Sequence, residues 1–174
     1  MEAIVAVYSD WGIGSGGTQP VVLKADRVLS MEMKDLKHFE GYDMIVVPGG
    51  WTGVDGRKTL GDFPGGRPLK GRHNIVVTRQ DIEVPGAQVA HSTGEALTLA
   101  AEYERCLVIG GASVYRQFMP YLDTVHVTKI DLAPQSDSYF ENLDSSPNWE
   151  RTDEERWQSE GDIRYCFVTY KRRA

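Results

Sequence analysis

Short apolar runs rich in β-branched residues recur along the chain, separated by polar and glycine-rich stretches. They are "AIVAVY" at 3–8, "MIVV" at 44–47, "NIVVTR" at 74–79, "AQVAHS" at 87–92, "CLVIGG" at 106–111, "TVHVTKI" at 124–130 and "RYCFVTYK" at 164–171. Most are nearly continuous, with little polar alternation, as in central strands covered on both faces. Between several of them apolar residues return at helical spacing, which predicts helices over 25–39, 93–103 and 113–121. In "STGEALTLAAEY", Ser92 or Thr93 is placed to cap a helix, with Glu95 in its first turn. This alternation predicts an α/β fold with a mainly parallel central sheet and helices on both faces. The last third differs. A polar stretch with turn residues and no helical period separates "TVHVTKI" from "RYCFVTYK", so antiparallel strands are expected to close one edge.

A chain of 174 residues without internal repeats or low-complexity linkers fits one domain over 1–174. The segment around 27–55 is enlarged: a helix, a strand and a glycine-rich loop longer than strand–helix connections usually are. A composition of 41% apolar and 25% charged residues excludes a disordered chain. The net charge of −6 argues against a protein that coats nucleic acid or an anionic membrane, while leaving room for a local basic pocket. Cys106 and Cys166 sit in apolar stretches, with no CxxC pair and only scattered histidines. Buried thiols in a reducing compartment are therefore expected, and no metal site. The N-terminus enters a strand without a basic leader, and no run reaches the ~20 apolar residues of a membrane helix. A soluble, cytoplasmic monomer is the expectation.

Candidate chemistry falls at four places. Gly110 and Gly111 lie on a strand-to-helix corner, where missing side chains allow a tight turn or the close approach of a large ligand such as a phosphate. The loop "WGIGSGGTQPVVL" after the first strand reads either as a surface loop or as a lid over a site at the carboxyl edge of the sheet. Arg57, Lys58, Arg67, Lys70, Arg72 and Arg79 fall within a short span of an acidic chain. They form either a solvated face or a pocket for phosphate and carboxylate groups. Asp26, flanked by apolar residues in "VVLKADRVL", either faces water or pairs with a polar ligand.

These features in order resemble the dihydrofolate reductase family over nearly the whole chain. The resemblance is carried by "AIVAVYSDWGIG", "GTQPVVLKAD", "GRKTL…FPGGRPLKGRHNIVVTR", "VIGGASVY", "VTKIDLAPQSDSYF" and "YCFVTYKR". It implies reduction of dihydrofolate to tetrahydrofolate by hydride transfer from NADPH, with dihydrofolate and antifolate inhibitors as ligands. It further implies a cis peptide at Gly110–Gly111 beside the cofactor's pyrophosphate. Asp26 would bind the pteridine ring with Thr128 completing that network, both as catalytic residues. Val5, Leu69 and Ile109 would line the pterin pocket, Tyr115 would sit beside the nicotinamide within reach of the substrate, and Arg72 would fork to the substrate's glutamate carboxylate. Arg57, Lys58, Thr59, Thr78 and Arg79 would take the cofactor's phosphates, with Gly56 and Ser92 also among the cofactor-binding residues. Ala6, Ile13, Gly14, Gly110, Gly111, Ala112, Ser113, Val114 and Tyr115 would hold the rest of it.

The chain departs from the family pattern in places. Val21 stands where the family usually has tryptophan, and Lys24 where it usually has proline. The distance from Asp26 to "GRKT" is longer than the pattern, so Asp35 in "KDLKHF" is a rival acid. Spacing from Pro20 and Leu23 favours Asp26, and the residues that follow favour Asp35. "YDMIVVPGG" also resembles a turn of the class I amidotransferase-like superfamily. That chemistry needs a cysteine on a strand-to-helix elbow, and Cys106 instead begins a strand. Two alternatives stand beside the leading one: a same-fold reductase of a ribosylated pyrimidine in flavin biosynthesis, and a non-catalytic NADPH-binding relative.

Overall fold

The computed structural model describes residues 1–15, 44–48 (backbone), 73–81, 83 and 85–174. In chain order its strands are β1 (Glu2–Val7), β2 (Gly12–Gly14), β3 (Met44–Pro48), β4 (His73–Val77), β5 (Gln88–Ala90), β6 (Cys106–Val108), β7 (Thr124–Ile130), β8 (Ser138–Tyr139), β9 (Trp149–Glu154), β10 (Gln158–Glu160) and β11 (Ile163–Arg172). Its helices are α1 (Thr93–Ala100) and α2 (Ala112–Phe118), the latter running into a 3-10 turn at Met119–Tyr121. The helix predicted over 25–39 lies outside the described residues.

Every residue of β1 after Glu2 is buried. Such a strand has nothing to show to water, so it needs hydrogen-bonded neighbours on both sides and apolar cover on both faces. β7 runs parallel to it from Glu2 opposite Thr124 to Val7 opposite Lys129, and β6 runs parallel on the other side. Its faces divide by the two-residue period of a strand. Ala3, Val5 and Val7 join the larger apolar cluster with Val108, Tyr115, Phe118, Val127 and Val168. Ala6 and Tyr8 join a smaller one with Ile130 and Tyr165.

The full order is β10-β11-β7-β1-β6-β3-β4-β5, with β9 also paired to β11. All strands from β7 to β5 in that order are parallel, whereas β11 is antiparallel to β7 and to both β9 and β10. The expected mainly parallel sheet with an antiparallel edge is thus present. Ser92 is the N-cap of α1, its hydroxyl accepting the Glu95 amide hydrogen at 3.1 Å. α1 stops at Ala100, short of the predicted 103. The amides of Glu102 and Tyr103 bond back three residues, to Leu99 and Ala100, and wind the chain into a turn before β6. Likewise α2 gives way to a 3-10 turn at Pro120, which has no amide hydrogen to continue the helix.

Two side-chain assemblies tie the antiparallel edge to the rest. Arg172 donates from its guanidinium to the Leu122 carbonyl at 2.7 Å and the Met119 carbonyl at 2.6 Å, and lies 4.5 Å over the Trp149 ring. Asp144 accepts hydrogen bonds from Lys129 of β7, Arg151 of β9 and Tyr170 of β11. Partial burial works to raise the Asp144 pKa. The hydrogen bonds from Arg151, Lys129 and Tyr170 outweigh it and hold the carboxyl at about 2. Burial and the Asp144 hydrogen bond push the Tyr170 phenol well above its ordinary range.

Two outcomes are expected. Arg172→Ala leaves two carbonyls without their donor and uncovers Trp149, lowering stability by about 2–3 kcal/mol in urea unfolding. Arg172→Lys recovers only part of this, because an ammonium lacks the planar fork; full recovery would contradict the account. For Asp144, the folded pKa lies below its ordinary 3.8, so its contribution is complete above that value and is lost as pH falls through about 2. Because Asp144 is largely exposed and its pairs are screened by solvent, Asp144→Asn should cost only about 1 kcal/mol at neutral pH, with the gap to the parent protein closing as pH approaches 2. A gap that stays constant down to that pH would show that the network does not act through the carboxylate's charge.

Candidate active site

β6 and β7 flank β1 on opposite sides, which brings the carboxyl ends of these three parallel strands to one edge of the sheet, the edge where α/β sheets bind ligands. Residues from all three border it. Ile109 and Gly110 follow β6 and are buried, and the Gly110–Gly111 peptide is cis, as the resemblance implies. Gly110 has φ +126°, a region that favours glycine. Gly111 is the N-cap of α2 and offers no side-chain cap, so the first-turn amides carry no intrahelical partner. Ala112 and Ser113 follow, and both are small. This corner fits a phosphate-bearing group that approaches the backbone. Val114 and Tyr115 are buried beneath it, and the Tyr115 hydroxyl donates to the Ile4 carbonyl of β1 at 2.6 Å.

On the other side of β1, Ala6 stands opposite Thr128 of β7, and Val5 opposite Val127. Thr128 is only 1% exposed, and its hydroxyl has no hydrogen-bond partner among the described residues. Leaving a buried hydroxyl unpaired costs about 1–3 kcal/mol, so such a group is better explained by a polar ligand than by packing. The arrangement fits the pteridine role that the resemblance gives Thr128.

The chain after β1 is pinned by a feature that the sequence reading missed. Trp11 has φ +64°, a left-handed conformation rare for a bulky residue. Its ring is buried against Phe140 and Tyr170, with the Lys129 ammonium 5.2 Å from its centre. Hydrogen bonds from Tyr8 to the Gly12 carbonyl and from Phe140 to the Trp11 carbonyl complete the reversal. β2 then pairs with β8, and a Cβ on Gly12 would collide with Ser136. Ile13 and Gly14, to which the resemblance gives cofactor contacts, thus lie in a two-stranded ribbon with β8. No hydropathy signal marks the left-handed backbone of Trp11 or the Ile4 carbonyl, because both are main-chain features.

A third group gathers where β4 and β5 end. Thr78 is buried and its amide bonds to the Ala90 carbonyl; Arg79 and Ser92 are exposed beside it. Asp26, Asp35, Gly56, Arg57, Lys58, Thr59, Leu69 and Arg72 lie outside the described residues. So do Arg67 and Lys70. Cys106 begins β6, buried, with its thiol on the Ala100 carbonyl at 3.4 Å.

A family model described as dihydrofolate reductase matches residues 1–172. A dihydrofolate reductase of Neisseria meningitidis serogroup B is 36% identical over 173 residues, covering 97% of this chain and 96% of that protein. One from Bacillus subtilis is 35% identical over 130 residues, covering 73% and 76%. Among solved structures, a dihydrofolate reductase from Enterococcus faecalis complexed with NADP(H) and RAB-propyl superposes with a TM-score of 0.75 at 27% identity, covering 99% of this chain and 96% of that one. The chain belongs to the dihydrofolate reductase family. No helix among the described residues is long and apolar enough to cross a membrane.

The orphaned hydroxyl makes a direct prediction for the ligand-free protein. Thr128→Val keeps the shape and removes the unpaired group, so stability should rise by about 1 kcal/mol or more on urea unfolding. A clear loss of stability would mean that the hydroxyl is satisfied in the free protein.

Proposed function

We propose that the protein reduces dihydrofolate to tetrahydrofolate with NADPH. The observation that carries this reading is the buried, unpartnered Thr128 hydroxyl on one side of β1, with the glycine corner of β6 on the other. NADPH, when bound, supplies the hydride that reduces the pteridine ring. The chain's own residues orient the two ligands and manage a proton. In this reading the amides at Gly111–Ser113 and the hydroxyls of Thr78 and Ser92 hold the cofactor's phosphates, together with Arg57, Lys58, Thr59 and Arg79. Tyr115 is held by the Ile4 carbonyl, so its ring forms a fixed wall between the cofactor corner and β1. Val5, Ala6, Leu69 and Ile109 exclude water around the ring.

Thr128 and an acid, Asp26 in preference to Asp35, bind the polar edge of the pteridine. A carboxylate in an apolar pocket favours the protonated form of its surroundings and so promotes proton delivery from solvent to the reacting nitrogen. Arg72 pairs with the glutamate carboxylate of the substrate. Antifolates occupy the same pocket.

Purified protein should show loss of NADPH absorbance that depends on dihydrofolate and is blocked by methotrexate. Asp26→Asn should cut turnover roughly 100-fold or more while NADPH still binds. Normal turnover in that variant, with loss in Asp35→Asn, would move the acid to Asp35. Thr128→Val should weaken dihydrofolate binding about tenfold despite its greater stability. Binding of NADPH without any oxidation would refute the proposed reaction.

A further inference from the structure

We infer that Lys129 is a positioning residue: its ammonium, anchored by Asp144, clamps the Trp11 indole and so sets the course on which Ile13 and Gly14 are presented to NADPH. This rests on the function proposed above, and the resemblance assigns Lys129 no role. Lys129 follows Thr128 in β7, and the two-residue period of a strand sends their side chains to opposite faces of the sheet. The face of Lys129 is that of Val127, which packs with Trp11 in the larger apolar cluster. One strand thus turns a hydroxyl toward the substrate's side and, one residue on, a cation toward the turn after β1.

A lysine ordinarily carries its ammonium out into water. The Lys129 side chain is only 17% exposed. Its ammonium donates to the Asp144 carboxylate and lies over two rings, 5.2 Å from the centre of Trp11 and 5.8 Å from that of Tyr170. Asp144 is held in turn by Arg151 and Tyr170. Drawing a cation back from water costs desolvation, which the carboxylate and the two ring faces offset. An apolar side chain of the same length is often as stable in such a place, so packing alone does not call for a lysine. Orientation does. A ring attracts a cation over its face and not at its edge, so the charge fixes the plane of the indole as well as its place.

That plane matters because the chain reverses at Trp11. A left-handed backbone at a bulky residue persists only where its surroundings enforce it. Phe140 stacks on the indole and Tyr170 meets it edge-on, while the ammonium closes the ring's remaining freedom to swing. Three backbone hydrogen bonds depend on this reversal: the Phe140 amide to the Trp11 carbonyl, the Tyr8 amide to the Gly12 carbonyl and the Asp137 amide to the Gly14 carbonyl. Removing the charge should therefore loosen all three together, and with them the segment that carries Ile13.

The test measures amide hydrogen exchange in the ligand-free full chain and equilibrium binding of NADPH. It compares the parent protein with Lys129→Met, Lys129→Gln, Lys129→Arg and Arg172→Ala. Methionine keeps the length of the stem without the charge, and glutamine, with a polar head for Asp144, carries the test if methionine prevents folding. Both should speed exchange at Tyr8, Phe140 and Asp137 about tenfold, while the Thr78 and Glu155 amides, bonded elsewhere in the sheet, keep the parent rate. NADPH affinity should fall about tenfold, because the free protein no longer holds the segment ready. Arginine, a cation that also lies over an indole and reaches a carboxylate, should restore both readings to within about threefold. Arg172→Ala should lower the urea midpoint further and leave NADPH affinity unchanged, since it does not touch Trp11. Parent-like exchange at the three amides, parent-like NADPH affinity in the uncharged variants, an arginine variant no better than methionine, or an equal loss of affinity in Arg172→Ala would each overturn the inference. Failure of the parent protein to bind NADPH would instead overturn the proposed function on which it rests.

Discussion

The pairing of β1 with β7 on one side and β6 on the other is the constraint from which the site's geometry follows. A strand with no polar residue after Glu2 must satisfy its backbone entirely within the sheet, and two parallel partners do so. Parallel pairing in turn brings three carboxyl ends together. One carries the glycine corner, one carries Thr128, and between them β1 offers the Ile4 carbonyl that fixes Tyr115. Polar chemistry is thus placed at the rim of an otherwise apolar sheet, where burial strengthens each hydrogen bond that a ligand makes.

The antiparallel edge contributes at a distance. Asp144 gathers cations from β7 and β9 and the phenol of β11, and Lys129 of that group also lies over the Trp11 ring. The left-handed backbone at Trp11 costs roughly 1–2 kcal/mol, which burial of an indole is large enough to offset. The first residues of the glycine-rich loop therefore take their direction from a packed aromatic, and the charge network beneath it belongs to the support of the site as much as to the edge.

Much of this architecture was legible in the sequence because β-branched apolar runs report strands covered on both faces; 124–130 coincides with β7. The strands that escaped notice lack that signal. β9 reads WERTDE with only Trp149 buried, and β2 and β8 are too short to show a period. At the site, Gly110–Gly111 was visible as a corner in the chain, and Thr128 through the resemblance. Trp11 and the Ile4 carbonyl were not. Their roles lie in a backbone angle and a main-chain oxygen, neither of which the identity of a residue discloses. Asp26, Asp35 and the basic stretch around 57–72 remain readings of sequence.

The register of β1 also bears on how the chain reaches this structure. Its neighbours, Leu107 and Thr124 opposite Glu2, come from far along the chain, so this apolar strand waits for distant contacts. Closing such loops costs entropy before any contact compensates it, which slows folding in proteins dominated by long-range pairing. Until β6 and β7 arrive, the unfolded chain carries an apolar strand with both edges open. The first few residues are therefore where premature association between copies would begin.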